Sequence, residues 1–285
     1  MDNIIRNAME DSFEAINLCK TNTSKYMPFY HNTNENLSRL FYNFSIKNKN
    51  VLSVLGSSDQ VFSCLYYGAK EVDSFDVNRL TIYYYYLRKW LLKENIEYPN
   101  EDNINILENN KNLYALIQNL KIDENNINEN KARLFWLNYL YRTPGKLTKN
   151  LFFKTVSARS QVPYKYALDI VYDKIPNKDI IFYNMDILKN FKIDKKYDII
   201  ILSNILEYAF NTEDFEIVRE NLDRLLNPGG EAICSYIINE QDSKRHSVEE
   251  RVITRNNLSI REFNDEYKDI FNNYVQVGYA YTKRK

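Results

Sequence analysis

The sequence has few of the residues that build metal centres and disulfide frameworks. Its three cysteines, Cys19, Cys64 and Cys234, are odd in number and far apart, and no CxxC spacing occurs. This pattern argues against a disulfide framework and a zinc site, and it favours a reducing compartment. The only two histidines, His31 and His246, provide no His-rich metal centre, and HExxH is absent. We therefore predict no metal site and a cytoplasmic protein.

Neither charge sign is in excess, because 38 Lys and Arg balance 38 Asp and Glu. Without net charge, no long-range field draws the chain to nucleic acid or to an anionic membrane. No stretch approaches the roughly 18 apolar residues of a spanning helix, and Glu10, Asp11 and Glu14 interrupt the run that a signal peptide needs. The hydrophobic share of 44% still permits a sizeable core. We expect a globular protein with no membrane span and no nucleic-acid partner, and its oligomeric state stays open.

Glycine is scarce, at six residues of 285, where an average usage of about 7% gives roughly 20. The positions of these glycines are therefore informative. Gly56 and Gly68 flank an apolar helical pattern, and the doublet Gly229-Gly230 precedes a strand-like run. They indicate turns between strands and helices.

The region after residue 46 begins with alternating strand and helix patterns. Residues 51–55 form a run of Val, Leu and Ser that ends at Gly56, and apolar residues with helical spacing follow over 61–68. Residues 71–76 alternate as a second strand that ends on an acidic residue, and 80–92 resume a helical pattern. This order predicts a βαβα unit.

The next convincing strand, 179–183, starts about 100 residues after the second one, whereas a simple crossover unit needs about 30. Helical faces recur between them, so we predict a helical insertion over 93–176 that caps the acceptor side of the sheet's carboxyl end. Residues 1–46 read as an N-terminal helical arm, in which Ile5, Met9, Ser12 and Ile16 have helical spacing.

After the insertion, strand and helix patterns alternate again. Residues 197–202 form a continuous apolar run of the kind found in central parallel strands. A helix is predicted over 213–226, a strand over 231–237, and a final alternating strand over 273–281 that fits an antiparallel edge. The main domain is therefore predicted over 47–92 and 177–285.

Polar residues directly after the strands are the candidate ligand-binding positions, because open parallel sheets bind ligands outside the carboxyl ends of their strands. Gly56 and Asp76 are separated by the roughly 20 residues that connect a cofactor-binding first loop to an acidic residue holding ribose hydroxyls. The first loop, residues 56–59, reads Gly-Ser-Ser-Asp rather than GxGxxG. Two missing glycines count against a dinucleotide pyrophosphate and favour a nucleoside without phosphates, such as S-adenosylmethionine.

Four segments carry a resemblance to a known family: VLSVLGSSDQVFSCLYYGAKEVDSFDVN, YNMDIL, YDIIILSNILEY and LDRLLNPGGEAICSYI. Together they resemble the successive motifs of class I S-adenosylmethionine-dependent methyltransferases, over about 47–92 and 178–238. More narrowly, Gly-Ser-x-Asp-Gln, Phe-Asp-x-Asn and Leu-Ser-Asn-Ile-x-x-Tyr are similar to a bacterial group related to the 3-amino-3-carboxypropyl transferase of betaine-lipid synthesis.

The resemblance implies an α/β Rossmann-like fold, S-adenosylmethionine as cofactor and transfer of a group to a small-molecule acceptor. Methyl transfer is the first expectation. Transfer of the 3-amino-3-carboxypropyl group is the alternative from the narrower similarity. A non-catalytic module that binds the cofactor is a third reading, since fold alone does not prove turnover.

The resemblance also implies roles for individual residues. The first loop would wrap the methionine part of the cofactor, Asp76 would accept hydrogen bonds from the ribose hydroxyls, and Asp186 would contact the adenine amino group. Ser203 and Asn204 would line the opening near the sulfonium. The predicted cofactor-binding residues are Gly56, Ser57, Ser58, Asp59, Asp76, Val77, Asn78, Asp186, Ile187, Ser203 and Asn204.

The sequence identifies no general base. Sulfonium carbons are already electrophilic, so the enzyme mainly aligns the acceptor and excludes water. His31, Asn204 and His246 are weak catalytic candidates, and each has a structural alternative: Asn204 as a helix cap and the histidines as packing residues. The sequence Ser-Asn-Ile-Leu differs from the Asn/Asp-Pro-Pro-Tyr/Phe of amino-group methyltransferases on bases or glutamine.

Other prominent residues have structural interpretations. The four consecutive tyrosines 83–86 point in different directions on a helix, so we predict that they pack in the core rather than form one binding face. Cys64 is predicted to be a small buried hydrophobe. Glu207 and Tyr208 either face an acceptor or lie on the surface of the first helical turn.

Overall fold

The structure is a computed structural model. It describes residues 2–21, 24–28, 30, 33, 35, 37, 40–41, 44–94, 110–121, 125–143, 151, 179–189, 192–209, 211–239, 258–265 and 274–284.

The described residues form strands and helices in alternation. The strands are β1 (Asn50–Val54), β2 (Glu71–Asp76), β3 (Ile181–Asn184), β4 (Tyr197–Ser203), β5 (Leu226–Asn239), β6 (Leu258–Asp265) and β7 (Tyr274–Lys283). The helices are α1 (Asp2–Thr21), α2 (Asp59–Tyr66), α3 (Thr81–Lys93), α4 (Asn110–Asn119), α5 (Ile127–Arg142) and α6 (Thr212–Leu225), with a short 3-10 helix at Ile205–Tyr208.

All seven strands belong to one sheet, in the order β3-β2-β1-β4-β5-β7-β6. The first five strands in that order are parallel, and β7 runs antiparallel to both β5 and β6. The chain moves outward from β1 to β3 and then returns to the other side of β1 with β4. This is the α/β Rossmann-like fold of class I methyltransferases, so the predicted fold class is confirmed.

The central strands β1 and β4 are buried on both faces, which is why their sequences are mainly apolar. In β1 the side chain of Val51 belongs to one hydrophobic cluster, together with residues of α1, α2, α3 and α5. The neighbouring Leu52 belongs to a second cluster with Ile200 and with Leu222 of α6. Alternation along the strand therefore places one helix layer on each face of the sheet.

The predicted β1, β2, β3, β4 and β5 and the helices α2, α3 and α6 are all present. Three features of the last part of the sheet differ from prediction. β7 lies between β5 and β6, so it is not an edge strand, and β6 was not predicted. β5 also begins at Leu226, earlier than predicted, so it includes the Asn-Pro-Gly-Gly segment. An alternating pattern specifies strand structure but not the neighbours, which explains the error for β7.

Of the described helices of the insertion, α5 packs on α3 and α4 packs on α5. Phe135 of α5 stacks on Tyr83 at 4.3 Å between ring centroids, and Trp136 Nε1 donates to the Tyr83 carbonyl at 2.7 Å. Residues 144–150 and 152–178 lie outside the described residues and include most of the second half of the predicted insertion. The acceptor-side cap therefore stays a prediction.

The four tyrosines of α3 are all buried and have separate neighbours. Tyr85 stacks on Phe62 at 5.0 Å, whereas Tyr86 donates to Oδ1 of Asp179 at 2.5 Å. The predicted core role is confirmed. Cys64 is also fully buried, and burial raises the pKa of its thiol, as expected for a packing residue.

The N-terminal arm begins with α1, as predicted, and α1 packs on α5. Ser12 and Ile16 are buried, whereas Ile5 and Met9 are each 37% exposed, so the predicted apolar face is only partly the packed one. None of the helices in the described part of the chain is long and apolar enough to cross a bilayer.

Candidate functional site

The first loop turns sharply at the carboxyl end of β1. Gly56 has a φ of +47° and Ser58 a φ of +76°, both in the left-handed region that favours glycine. No atom lies within 4 Å of the position that a Cβ on Gly56 would occupy. The loop therefore borders open space, into which a ligand can approach its backbone.

Asp76 at the end of β2 faces this loop. Its Oδ2 accepts from the Gly56 N–H at 2.9 Å and its Oδ1 accepts from the Asn78 N–H at 2.8 Å. Burial raises the pKa of the carboxyl to about 6, and the hydrogen bonds from Asn78, Gly56 and Val77 limit that rise. These three N–H groups use three of the four lone pairs of the carboxylate, so one is left for a further donor. At neutral pH the group is thus an ionised acceptor beside the open space.

The end of β3 is bonded to the end of β2. Asn184 Nδ2 donates to the carbonyls of Asp76 and Val77, at 2.9 and 3.0 Å. Asp186 follows two residues later, where its Oδ1 accepts from the Leu188 N–H at 3.0 Å. Asp76 and Asp186, the two carboxylates predicted to bind the cofactor, therefore lie at the ends of adjacent parallel strands.

Two predicted residues beside these carboxylates differ in exposure. The side chain of Val77 is 51% exposed, whereas that of Ile187 is buried in the core cluster that includes α6. The Ile187 carbonyl accepts from Asn221 Nδ2 at 2.9 Å. Ile187 therefore fixes the loop after β3 to α6, and its role in cofactor binding stays a prediction.

The end of β4 is conformationally strained. Ser203 is buried and has a φ of +55°, a conformation that costs about 1 kcal/mol or more for a residue with a Cβ. Asn204 occupies the N-cap of the 3-10 helix, but its side chain makes no capping hydrogen bond to residues 205–208. The capping alternative for Asn204 is therefore wrong. Strain of this kind is typical of functional sites.

A buried ion pair holds the first loop. Arg88 of α3 donates from Nη2 to Oδ1 of Asp59 at 2.7 Å, and from Nη1 to the Ser57 carbonyl. Ser57 Oγ donates to Oδ2 of Asp59 at 2.7 Å. The side chains of Asp59 and Arg88 are 2% and 7% exposed. The loop is thus fixed by charge-assisted hydrogen bonds rather than by several glycines.

The hydroxyl of Ser58 differs from that of Ser57. It is fully buried and has no hydrogen-bond partner among the described residues. A buried hydroxyl without a partner is unfavourable by about 1 to 3 kcal/mol. Ser58 is therefore a second point of strain at the carboxyl edge, by which we mean the carboxyl ends of β1 to β4.

The N-terminal arm crosses this edge. Asn78 Nδ2 donates to the Met27 carbonyl at 2.8 Å. The Thr33 N–H donates to Oδ2 of Asp59 at 2.6 Å, and Gln60 Nε2 donates to Oε2 of Glu35 at 2.6 Å. The arm therefore contacts the residues that follow both β2 and β1.

The same arm reaches the end of β4 through two tyrosines. The hydroxyl oxygens of Tyr30 and Tyr208 are 3.3 Å apart, and both side chains are about half exposed. Tyr208 ends the 3-10 helix that follows Asn204. The pair marks one boundary of the space between the arm and the carboxyl edge.

Asp11 anchors the arm to the main domain. Its carboxylate is buried and accepts from the hydroxyls of Tyr26 and Tyr83, at 2.7 and 2.6 Å. Arg79 lies 3.1 Å from Oδ2 of the same group. Burial and the neighbouring Asp11 raise the pKa of both tyrosines, so both hydroxyls remain donors at neutral pH.

Sequence reasoning missed Arg88, Asp11 and the arm contacts. Arg88 left one signal, because it and Lys89 are two charged residues in the mainly apolar segment 80–92, and long charged side chains are rarely buried without a partner. His31 and His246 lie outside the described residues, as does the side chain of Glu207. Within the described ranges, no group of three His, Cys, Asp or Glu side chains is arranged to hold a metal ion.

Neither a protein-family model nor a curated protein matches the sequence. Solved structures with a similar arrangement include the N-methyltransferase NodS from Bradyrhizobium japonicum WM9, which is 10% identical, with 88% of this chain and 94% of that chain covered and a TM-score of 0.45.

Two further structures are similar to the same degree. The ribosomal protein L11 methylase from Lactobacillus delbrueckii subsp. bulgaricus is 14% identical, with 92% of this chain and 84% of that chain covered and a TM-score of 0.44. A methyltransferase from Pyrococcus furiosus is 12% identical, with 98% of both chains covered and a TM-score of 0.46. At TM-scores below 0.5 these likenesses add nothing to the fold given by the strand order.

Proposed function

We propose that the chain is an S-adenosylmethionine-dependent methyltransferase that acts on a small-molecule acceptor. The observation that carries the proposal is the ionised Asp76 carboxylate, hydrogen-bonded to Gly56 beside open space at the carboxyl edge. It lies next to β1, where the sheet order reverses, which is the usual ligand position in open α/β sheets.

In this proposal the adenosine part of the cofactor lies over β1 to β3. The ribose hydroxyls would donate to Asp76, whose carboxylate has one lone pair left beside its three backbone bonds. The adenine amino group donates to Asp186, two positions after β3. The methionine part would follow the first loop, where the buried Ser58 hydroxyl has no partner among the described residues and Gly56 permits close backbone approach.

Ser203 and Asn204 then lie near the sulfonium. When bound, S-adenosylmethionine would supply an electrophilic methyl carbon: a lone pair of the acceptor would form the new bond as the methyl carbon–sulfur bond breaks with its electron pair going to sulfur, and the methylated product would release its proton to the solvent on leaving the site. The protein holds the acceptor in line with that bond and excludes water.

The arm supports a small acceptor. Its contacts with Asn78, Asp59 and Tyr208 span the ends of β2, β1 and β4, so the arm covers part of the carboxyl edge. The zero formal charge also offers no general attraction for nucleic acid. A substrate that passes between the arm and the edge is therefore expected to be small.

The first loop also favours a second candidate, transfer of the 3-amino-3-carboxypropyl group. Ser58 occupies a position where many methyltransferases have a glycine, and Ser57 and Ser58 would set the rotation of the methionine tail. Attack on its γ-carbon breaks the γ-carbon–sulfur bond and leaves methylthioadenosine. The same Asp76 and Asp186 serve both reactions.

The test combines ligand identification with product analysis. The purified protein is analysed by mass spectrometry for a retained nucleoside and is then incubated with S-adenosylmethionine and either the small-molecule or the macromolecular fraction of a cell extract. We expect S-adenosylhomocysteine to accumulate with the small-molecule fraction and not with the Asp76→Ala variant.

Each other outcome changes a specific part of the proposal. Methylthioadenosine without S-adenosylhomocysteine would establish the second candidate. Turnover with only the macromolecular fraction would overturn the small acceptor. Cofactor binding with no product would favour the non-catalytic module, and no binding of S-adenosylmethionine or S-adenosylhomocysteine would overturn the proposal itself.

A further inference from the structure

The carboxylate of Asp59 joins three parts of the molecule that are distant in sequence. Its Oδ1 accepts from Arg88 of α3, and its Oδ2 accepts from Ser57 of the first loop and from the Thr33 N–H of the arm. The distances are between 2.6 and 2.7 Å. Both oxygens are therefore used by protein donors, although the residue lies in the loop predicted to bind the cofactor.

Arg88 acts on the same loop from α3. Its planar guanidinium donates both to Asp59 and to the Ser57 carbonyl, so it fixes the orientation of the peptide that follows Ser57. The ring of Phe62 lies 5.2 Å from the guanidinium carbon. A lysine at this position would keep the charge but could not present two donors in one fixed plane.

Loss of the Asp59–Arg88 pair would affect both the first loop and the N-terminal arm. The adjoining Ser58 is held at a φ of +76°, a conformation that persists in a residue with a Cβ only when its surroundings enforce it. The bond to Thr33 makes the same carboxylate a support for the arm. An altered loop would therefore displace the arm, and an ordered loop would help to hold the arm in place.

We propose that the buried Asp59–Arg88 pair is the positioning element of the first loop and couples the occupancy of the loop to the placement of the N-terminal arm. Arg88 holds the loop in the conformation that binds the cofactor. Asp59 connects the ordered loop to the arm through its hydrogen bond from Thr33. Both are positioning residues that do not touch the cofactor. The inference rests on the proposed function, because it requires a ligand that orders the loop.

Limited trypsin digestion measures the placement of the arm. Lys25 is exposed and lies between α1 and the arm segment that crosses the edge, so cleavage after Lys25 yields a fragment that begins at Tyr26. S-adenosylhomocysteine is the probe, and its affinity is measured by calorimetric titration on the full chain. For the wild type we expect saturating S-adenosylhomocysteine to slow this cleavage at least fivefold.

Two variants separate the two roles. Arg88→Lys keeps the charge opposite Asp59 but loses the two coplanar donors of the guanidinium. We therefore expect the affinity for S-adenosylhomocysteine to fall about tenfold, while saturating S-adenosylhomocysteine still protects the arm from cleavage after Lys25. Asp59→Asn weakens the bonds from Arg88 and Thr33, so we expect protection to fall below twofold even at saturation. Arg219→Lys, in the α6 pair with Glu216, is the matched control and should change neither.

Asp59→Asn leaves the buried Arg88 charge without its partner, which can unfold the protein. The double variant Asp59→Asn/Arg88→Gln removes both charges and serves as the second test of coupling. Full protection in either neutralised variant, or unchanged affinity in Arg88→Lys, would overturn the inference alone. Failure of the wild type to bind S-adenosylmethionine or S-adenosylhomocysteine would overturn the proposed function, and the inference with it.

Discussion

The N–H of Gly56 donates to Oδ2 of Asp76 at 2.9 Å, so two residues 20 positions apart are in direct contact at the carboxyl edge. The contact follows from the parallel register, in which Val54 of β1 pairs with Phe75 of β2. Each strand then ends within one or two residues of the contact. The spacing of 20 residues in the sequence thus corresponds to a defined geometry, in which the Asp76 carboxylate faces the backbone turn at Gly56.

The first prediction concerns Asp76. Asp76→Ala should weaken the affinity for S-adenosylmethionine about tenfold or more, because charge-assisted bonds from the ribose hydroxyls are each worth roughly 1.5 to 3 kcal/mol. Calorimetric titration measures the change. Asp198→Ala is the matched control, since Asp198 also accepts a backbone N–H, from Asn50, but at the amino end of β4. A folded Asp76→Ala variant with wild-type affinity would contradict the assignment.

The second prediction concerns pH. Burial raises the pKa of Asp76 from 3.8 to about 6 in the folded protein, so the native state binds more protons at this group than the unfolded state between those values. Its contribution to the free energy of unfolding therefore falls as the pH rises from about 4 to about 6. Cofactor affinity should change in the opposite direction, because the ribose hydroxyls donate to the ionised form.

If only the ionised form binds, the dissociation constant for S-adenosylhomocysteine should be about tenfold larger at pH 5 than at pH 7, since one pH unit below the pKa leaves about a tenth of the group ionised. Titrations at the two pH values measure this ratio. Asp76→Asn should bind weakly and with little pH dependence. An equal pH dependence in that variant would assign the effect to another group.

The third prediction concerns the left-handed Ser58. Ser58→Gly should raise the free energy of unfolding by about 1 kcal/mol, because it removes both the backbone strain and a buried hydroxyl without a described partner. The melting temperature should rise by about 2 to 3 °C. Affinity for S-adenosylmethionine should fall about fivefold if the hydroxyl binds the methionine part.

Asn48→Gly is the control for this pair of effects. Asn48 has a φ of +63° in the turn before β1, at the opposite end of that strand. Its replacement should alter stability by a few tenths of a kcal/mol, since Asn tolerates this conformation, and should leave cofactor affinity unchanged. A Ser58→Gly variant that binds the cofactor as well as the wild type would show that the hydroxyl has no part in binding.

The fourth prediction concerns the anchor of the arm. Asp11→Ala removes a buried carboxylate from Tyr26, Tyr83 and Arg79, so the free energy of unfolding should fall by about 2 to 4 kcal/mol. Urea denaturation measures the loss. Glu10→Ala on the same helix should change it by less than about 0.5 kcal/mol, because the pair with Arg6 is exposed. Equal losses in the two variants would contradict an anchoring role.

The strands and helices around β1, β2 and β4 were predictable because burial on both faces and helical spacing leave local patterns in the sequence. Gly56 and Asp76 were predictable for the same reason, as each directly follows such a strand. The contact of Asp11 with Tyr83 was not predictable, since 72 residues separate them and neither lies in a local motif. The neighbours of β7 were also not predictable, because its alternation fits either an edge or an interior position.

The position of β7 between β5 and β6 affects how the protein is made. β5 ends at Asn239, but its antiparallel partner is complete only at Lys283. At about 5 to 20 residues per second, a ribosome needs roughly 2 to 9 seconds to add that length. During this interval one edge of a long strand lacks its partner and is open to pairing with other nascent chains. Synthesis of this fold thus includes a period in which the open edge is exposed to aggregation and in which chaperones would protect it.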